Sequence, residues 1–387
     1  MGDRTVLMSL REHLRGRICE EMLLGRLSEK EAAGRLFLSV RQVRRLKKRV
    51  KQEGAKGVIH RLRGRPSARR ISQEVLEEVK RLYEGRYLGW NMTHFSERLQ
   101  EAHGIVVSRE RVRQALREEA SRPRRNRRRK HRRWRARRGR EGELVQMDAS
   151  IHAWLGDGGE EAVLISAIDD ATGKLLWAEF FASDGTLENL AVIRGIVSKH
   201  GIPAEIYLDR SAKYFAQEEL ALAARERGEE PVTQFGRAMK ELGIAMIKAR
   251  SPQAKGRVER LFGTLQDRLV KELALCGIKT REKANAYLRR EFVPGFNSRF
   301  AVRPEEKDGA FVKASGALDY NAVFCVKEIR TVQNDYTIAY GGAKVQLEDQ
   351  AVWAGQKVEV RVWLDSSVHV YAKDRPLRAR TVVARAG

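Results

Sequence analysis

Three acidic residues, Asp148, Asp209 and Glu259, occupy positions that suit a two-metal phosphoryl-transfer site. Asp148 and Asp209 each end a short apolar stretch typical of a β-strand, and Glu259 lies one turn into an amphipathic helix. Two divalent ions about 3.5–4 Å apart require shared carboxylate oxygens on rigid elements. The residue types and their placement therefore predict a metal-dependent site that acts on phosphate esters.

Each of these acids also has an ordinary structural explanation. A single Asp at a strand end is usually a turn or cap residue, and a single Glu on a helix is usually solvated. Four further aspartates compete for the same role, namely Asp157, Asp169, Asp170 and Asp184. We expect these four to be structural, since glycine-rich and hairpin turns commonly use Asp.

The elements that must position the three acids begin at residue 143. Apolar runs predict strands at 144–150, 162–168, 174–182, 204–209 and 244–247, with helices at 186–200, 217–227, 233–242 and 252–275. A turn signal at 169–173 joins the second and third strands as a hairpin. Three antiparallel strands, a crossover helix and two more strands predict an α/β core at 142–305 with the ribonuclease-H-like fold.

The excess of positive charge lies in the N-terminal third of the chain. The net charge is +25, and residues 1–140 carry all of it, so that 141–387 are neutral overall. Such asymmetry is typical of a nucleic-acid-binding region joined to a second domain. A ribosomal or membrane-surface protein can be equally basic, but it would not usually carry so large a neutral domain.

The first 60 residues predict a helix-turn-helix domain. Capping-box sequences at 28–31 and 39–42 open helices at 29–36 and 40–53, after a first helix at 18–24. The last helix has an apolar stripe and a basic face, as expected of a helix that enters the DNA major groove. Its expected DNA contacts are Arg41, Arg44, Arg45 and Lys48. A solvated basic helix on a helical bundle is the alternative.

The same pattern recurs in a second domain at 72–120. Its helices are predicted at 72–83, 93–102 and 108–119, and its expected DNA contacts are Arg109, Arg111 and Arg113. A basic linker at 61–71 suits a minor groove, and a second linker at 121–141 suits the phosphate backbone. The second linker includes Arg128 and Arg129, and 13 of residues 122–140 are Lys or Arg. The sequence thus predicts a tandem all-α DNA-binding region.

Beyond residue 305 the pattern weakens. Short alternating apolar runs between 322 and 372 predict a small C-terminal β-barrel at 318–387, with about five strands. DNA binding, contact with a second protomer and support of the core are all open for it. No apolar run suits a membrane span, and the three cysteines are scattered, which favours a reducing cytoplasm.

Asp148, Asp209 and the run 251–260 around Glu259 resemble the DDE signature of transposases and retroviral-type integrases. Blocks at 168–173, 233–238 and 263–272 resemble insertion-sequence transposases of the ISNCY type. The resemblance implies that the three acids bind two Mg²⁺ ions, with Mn²⁺ as an expected substitute. The interval from Asp209 to Glu259 is longer than is usual in integrases, and its extra length is expected in an inserted surface helix.

The resemblance also implies an activity. The implied activity is that of a DDE polynucleotidyl transferase. Such an enzyme binds terminal inverted repeats, cleaves a strand at the element's end and joins it to target DNA. A homo-oligomer on double-stranded DNA, associated with a bacterial nucleoid, is implied as well, with no membrane and no small-molecule substrate. The expected phosphate contact beside the metals is Lys255, and Arg257 and Arg260 are further expected DNA contacts. A DNA-binding regulator with an inactive core and a structure-specific nuclease are the alternatives.

Overall fold

A computed structural model describes residues 8–64, 70–116, 136–217, 222, 226, 228, 230–249, 256–349 and 352–382. The chain forms two compact units, Met1–Glu78 and Val79–Gly387. Most of the predicted helix at 217–227 and most of the linker at 121–141 lie outside the described residues.

The first unit contains three capped helices, α1 (Leu10–Leu23), α2 (Glu29–Leu36) and α3 (Val40–Glu53). Each begins at a complete capping box, in which a Ser hydroxyl and the third helical residue bond each other's backbone N–H groups. The predicted helix at 18–24 was too short at its N-terminus, because a further capping box at Ser9 starts α1 earlier. Apolar side chains from all three helices form one core, which includes Ile18, Met22, Ala32, Val43, Leu46 and Val50.

A second three-helix segment follows, comprising α4 (Gln73–Arg86), α5 (Met92–His103) and α6 (Arg109–Ala115). Side chains of Asn91 and Ser108 cap α5 and α6. The segment is held by aromatic packing, with the ring centroids of Tyr87 and Trp90 4.9 Å apart and those of Tyr87 and Phe95 5.3 Å apart. The N-terminal helices predicted from the sequence are therefore present.

The core contains one five-stranded sheet, made of β1 (Leu144–Ile151), β2 (Val163–Asp169), β3 (Leu175–Phe181), β4 (Glu205–Leu208) and β5 (Ala245–Lys248). The strand order is β3-β2-β1-β4-β5. The first three strands are antiparallel, and β4 and β5 run parallel to β1. Helix α7 (Thr186–His200) makes the crossover from β3 to β4. This order of elements is the one predicted from the sequence.

Helices cover both faces of this sheet. One face packs against α7 and α8 (Gln234–Leu242), around a buried apolar cluster that includes Val145, Met147 and Ile206. The other face packs against α9 (Gly256–Leu275), which carries Glu259 in its first turn. Two further helices, α10 (Arg281–Tyr287) and α11 (Val293–Phe300), complete that layer, joined by a π-helical turn at Leu288–Phe292.

Helix α5 is fixed to α9 by buried polar contacts inside the second unit. His94 is fully buried, and its Nε2 lies 2.7 Å from an oxygen of Glu272 in α9. Tyr287 donates a hydrogen bond of 2.6 Å to the other oxygen of Glu272. Arg268 of α9 donates to Glu97 of α5 at 2.5 Å, and Asn91 donates to Asp267. The second three-helix segment therefore has a polar interface with the helix that bears Glu259.

The C-terminal region follows α12 (Tyr320–Val323), and its described residues form seven strands in two sheets. The strands are β6 (Val326–Thr331), β7 (Thr337–Tyr340), β8 (Ala343–Leu347), β9 (Lys357–Val362), β10 (Val368–Ala372), β11 (Arg375–Leu377) and β12 (Ala379–Val382). The sheet orders are β11-β10-β9-β6 and β12-β8-β7, and both sheets contribute to one apolar core. The predicted closed barrel is thus wrong for the residues described here. Alternating apolar residues predict which side chains face inward, but a barrel and a pair of packed sheets share that alternation.

Within these described ranges, no helix has both the length and the apolar character that crossing a membrane would require.

Candidate active site and DNA-binding helices

The register of two parallel strands brings Asp148 and Asp209 level with each other on neighbouring strands. In β1 and β4, Val145 pairs with Ile206 and Gln146 pairs with Tyr207. The same offset, continued past the end of β4, puts Asp148 level with Asp209. Both side chains alternate away from the apolar cluster that holds Met147 and Leu208. Two of the three predicted acids therefore lie side by side, with Asp148 within β1 and Asp209 directly after β4.

Local hydrogen bonds orient both carboxylates. The backbone N–H of Ala149 donates to an oxygen of Asp148 at 3.1 Å, and the N–H of Ser211 donates to Asp209 at 3.0 Å. Both aspartates are half-buried. Carboxylates of this kind are ligands that Mg²⁺ prefers, because the ion retains several waters.

Glu259 is exposed in the first turn of α9, and contacts on either side of it fix that turn to the sheet. The backbone N–H of Val258 donates to the side-chain oxygen of Gln146 at 3.4 Å. Nε of Arg257 donates to Asp170 at 2.7 Å. Gln146 lies two residues before Asp148 in β1, so these contacts hold the turn beside that strand.

The three acids do not form a compact ligand set in the structure. Across the described part of the chain, no group of three or more His, Cys, Asp or Glu residues is arranged to hold a metal ion. Residues 250–255, which lead into α9, lie outside that part. The structure therefore brings Asp148 and Asp209 together, and Glu259 is near β1 without completing the set.

Tyr214, which the sequence did not single out, is buried in the apolar cluster that contains Met147 and Leu208. Its hydroxyl donates a hydrogen bond of 2.6 Å to Asn189, whose amide donates to Asp184 at 2.7 Å. Burial raises the pKa of Tyr214, and the carboxylates of Asp184, Asp209 and Asp148 raise it further. Lys213 forms an ion pair with Asp184. The buried hydroxyl of Tyr214 thus lies within electrostatic reach of Asp148 and Asp209, and Lys213 and Tyr214 follow Asp209 by a few positions.

The competing acids Asp169 and Asp170 have structural contacts. Asp170 is fully buried and accepts hydrogen bonds from Gln146, Arg257 and the backbone of Arg138. Asp169 accepts from Thr172 in the hairpin turn, and burial raises its pKa. Among the predicted DNA contacts, Arg257 is thus engaged in the core, and Arg260 is exposed. Lys255 lies outside the described residues.

Helix α3 exposes a basic face with unequal flanks. Arg41, Arg45 and Lys48 are exposed, whereas Arg44 donates to Glu29 of α2 at 2.6 Å. Lys47 lies 3.9 Å from the same carboxylate. On the opposite flank, a cleft of about 210 Å³ is lined by Arg15, Leu38, Gln42, Arg45, Leu46 and Arg49. A carboxylate therefore offsets one flank, and the other has three arginines and no acid in its lining.

Helix α6 carries a mixture of charges. Arg113 donates to Glu110 of the same helix at 2.6 Å, and Arg111 donates to Gln114 at 2.9 Å. Arg109 is exposed at the first turn. The predicted contacts Arg128 and Arg129 lie outside the residues described by the structure. The basic surface of α6 is therefore smaller than that of α3.

Residues 42–116 match a family described as "Homeodomain-like domain". That stretch begins in α3 and ends just after α6, so it includes the predicted DNA-binding helices of both segments. Homeodomains bind DNA by placing one helix in the major groove.

Solved structures of viral integration proteins resemble the chain weakly. One is a simian T-cell lymphotropic virus intasome in complex with PP2A regulatory subunit B56 gamma, with a TM-score of 0.35 and 13% identity, covering 80% of this chain and 100% of that chain. Another is the HTLV-2 integrase catalytic core domain in complex with magnesium, in a dimeric form. Its TM-score is 0.27 and its identity 18%, covering 40% of this chain and 91% of that chain. At these scores the likeness carries no weight, and the fold rests on the strand order given above.

Two curated proteins match most of the chain. The protein named "Putative transposase y4bF" from Sinorhizobium fredii (strain NBRC 101917 / NGR234) is 36% identical over 379 residues, which is 97% of this chain and 82% of that protein. "Transposase for insertion sequence IS1202" from Streptococcus pneumoniae is 31% identical over 354 residues, covering 82% of this chain and 74% of that protein. Identity at this level over this length establishes common descent, and the chain belongs to the family of insertion-sequence transposases.

Proposed function

We propose that this transposase binds the terminal inverted repeats of its element and catalyses Mg²⁺-dependent strand cleavage and strand transfer through Asp148, Asp209 and Glu259. The observation that carries the proposal is the register of β1 and β4, which sets the two aspartates level on neighbouring strands. In the structure, Glu259 does not form one ligand set with this pair. It lies on a helical turn that contacts with Gln146 and Asp170 hold beside β1. A small movement of that turn on binding DNA and metal would complete the set.

The donor chemistry fits magnesium. All three side chains offer carboxylate oxygens, and no Cys or His competes among them, which favours Mg²⁺ or Mn²⁺ over softer metals. Two bound ions would supply activation of the attacking hydroxyl and stabilisation of the leaving oxygen. The backbone N–H groups of Ala149 and Ser211 orient the aspartates for that task.

The chain's basic residues suit DNA binding, which the proposed function requires in addition to catalysis. Helix α3 presents Arg41, Arg45 and Lys48 to solvent, and these residues would enter the major groove of the repeat. Phosphates of the reacting strand would meet Arg260 and Lys255, which flank Glu259 in sequence. Because two element ends must be joined to one target, we propose a homo-oligomer on double-stranded DNA. The name of the Streptococcus pneumoniae relative refers to an insertion sequence, in keeping with this substrate.

The decisive experiment is a strand-transfer assay with Asp209→Asn. The DNA is a duplex carrying the inverted repeat that flanks the coding region, with Mg²⁺ and a target plasmid. We expect joined product to fall by about a thousandfold or more, because a lost ligand removes several kcal/mol of transition-state stabilisation. Binding of the repeat should be unchanged. Asp157→Asn is the matched control, since Asp157 is exposed in a separate turn. Unchanged joining by Asp209→Asn would refute the proposal.

A DNA-binding regulator with an inactive core is the second candidate. It is favoured by one observation, the lack of a compact ligand set among the described His, Cys, Asp and Glu residues. The same assay separates the two, because a regulator binds the repeat and yields neither nicked nor joined product. A structure-specific nuclease, the third alternative, would yield cut DNA without joined product. Sizing of the protein–DNA complex tests the oligomer, and an active complex with one protomer would contradict it.

A further inference from the structure

Phe37 combines two unfavourable features in the turn between α2 and α3. Its backbone is left-handed, with a φ of 52°, and its side chain is 95% exposed. Phe37 ends α2, and its N–H bonds to the carbonyls of Ala33 and Gly34. Helices commonly end this way on glycine, because a side chain strains the left-handed conformation. An aromatic residue at this position therefore costs the fold stability.

The packing of this turn does not require Phe37. The next residue, Leu38, packs against the core of the first unit, and its N–H bonds to the carbonyl of Ala33. Phe37 itself projects into solvent. Strained residues that persist without a packing role are concentrated at functional sites, so the conformation suggests a binding role.

The surroundings of the ring favour DNA as its partner. Phe37 lies two residues before Ser39, which caps α3. Arg35 and Arg41 are exposed on either side of it in sequence, and the exposed face of α3 is basic. In helix-turn-helix proteins, the N-terminal residues of the second helix approach base edges in the major groove. A hydrophobic protein partner would have to desolvate these arginines, whereas DNA phosphates would neutralise them.

We propose that the Phe37 ring contacts a thymine methyl group in the major groove, beside the bases that α3 contacts. The proposal rests on the repeat-binding function given above and names one residue and one chemical group within it. Thymine is the base that presents a methyl group in that groove, and phenylalanine is among the side chains that contact it. The strained turn would then lower the stability of the free protein, and the contact would provide specificity for an A·T pair at that position of the repeat.

The test exploits opposite effects on stability and binding. In the full chain, Phe37→Gly should raise the unfolding midpoint of the first unit by about 3 °C, since strain is relieved. The same variant should bind the repeat duplex about tenfold more weakly, as loss of a desolvated aromatic contact implies. Leu24→Gly is the matched control, because Leu24 is 65% exposed in the α1–α2 turn with an ordinary φ of −78°. It should leave repeat affinity unchanged.

A second arm identifies the methyl group. Repeat duplexes in which single thymines are replaced by deoxyuridine lose the methyl and keep the base pair. One such replacement should weaken the wild type about fivefold and leave Phe37→Gly unaffected, since the two changes remove the same contact. The inference about Phe37 would be overturned if wild type and Phe37→Gly bound the repeat equally well, or if deoxyuridine weakened both proteins equally. Either result would leave the repeat-binding function standing. A wild-type chain that does not prefer the repeat over random duplex would overturn the repeat-binding function as well.

Discussion

The two three-helix segments, α1–α3 and α4–α6, follow one sequence pattern and use their polar residues differently. In both, a short helix precedes a Ser-capped helix with three or more arginines. In the first segment, the polar residues at the helix starts form capping boxes. The exposed face of α3 remains basic. In the second, polar residues of α5 bind α9 through His94, Glu97 and Asn91.

The difference teaches that a helix-turn-helix pattern does not by itself assign a DNA-binding role. Capping signals and charge predict the helices, but they do not predict which face meets another part of the chain. The segment α4–α6 is held on the helix that bears Glu259, and its own third helix offsets part of its charge through Glu110. We infer that α1–α3 supplies most of the affinity for DNA and that α4–α6 chiefly supports α9.

The largest expected effect is the loss of the buried pair between α5 and α9. Glu272→Ala leaves the buried ring of His94 and the hydroxyl of Tyr287 without their acceptor, and each buried polar group left unsatisfied costs about 1–3 kcal/mol. Hydrogen exchange of amides in Met92–His103 should accelerate accordingly, because local opening becomes easier. The measurement is exchange of the full chain followed by mass spectrometry of α5 peptides.

The matched variant in the first segment is Glu29→Ala. Glu29 pairs with Arg44 on the surface, where ion pairs contribute little. Exchange in Val40–Glu53 should therefore change far less than exchange in α5 does after Glu272→Ala. Equal acceleration in the two variants would remove the distinction between the segments.

The next effect concerns DNA affinity. Arg45→Gln should weaken repeat binding about tenfold, whereas Arg44→Gln should weaken it less, because Glu29 already engages Arg44. Arg109→Gln in α6 should have the smallest effect of the three if α4–α6 mainly supports α9. Fluorescence anisotropy at several salt concentrations measures both the affinity and the number of phosphates contacted. A larger loss with Arg109→Gln than with Arg45→Gln would reverse the assignment of roles.

Much of the fold was predictable because local signals agree with the tertiary structure. The capping boxes at Ser28 and Ser39 start α2 and α3 where the sequence predicts, and Gly54 ends α3 as expected. The runs that end in Asp148 and Asp209 form parallel neighbours in the sheet. In these segments, apolar periodicity, turn residues and helix caps all favour the same structure.

Other features depend on contacts distant in sequence and could not be predicted. Tyr214, Asn189 and Asp184 meet only because α7 and the segment after β4 converge. Arg257 looks like a free basic residue in sequence, and its partner Asp170 lies in a distant hairpin. The C-terminal strands were expected in one barrel, but hydrogen bonding divides them between two sheets.

A smaller effect is expected from the helix caps. Ser39→Ala removes a reciprocal capping box with Gln42 and should destabilise α3 by about 1 kcal/mol. Ser108→Ala should destabilise α6 less. Residue 111 is Arg, whose side chain cannot accept a hydrogen bond from the backbone N–H of Ser108. Hydrogen exchange at the first turn of each helix checks both values. A larger loss in α6 would contradict the stronger capping assigned to the first segment.

The smallest expected effect is a response to mild acid that only the second segment shows. Burial lowers the pKa of His94 below its ordinary value of 6.5, against the opposing influence of Glu272 and Glu97, and Arg268 adds to the lowering. The unfolded chain then takes up a proton on His94 at a higher pH than the folded chain does. The contribution of neutral His94 is therefore complete above pH 6.5 and is lost as the pH falls below it.

The carboxylates of the two segments respond at lower pH. Burial alone would raise the pKa of Glu272, but hydrogen bonds from His94 and Tyr287 lower it. Hydrogen bonds from Arg44 and from Ser28 lower the pKa values of Glu29 and Glu31, which puts their titration below 4.5. Between about pH 7 and about pH 5.5, exchange corrected for its intrinsic pH dependence should thus accelerate in α5 and not in α3. His94→Asn should abolish the response in α5, since no group at that position then titrates in this range. Acceleration in both segments, or persistence in His94→Asn, would mean that the acid response does not arise at the α5–α9 interface.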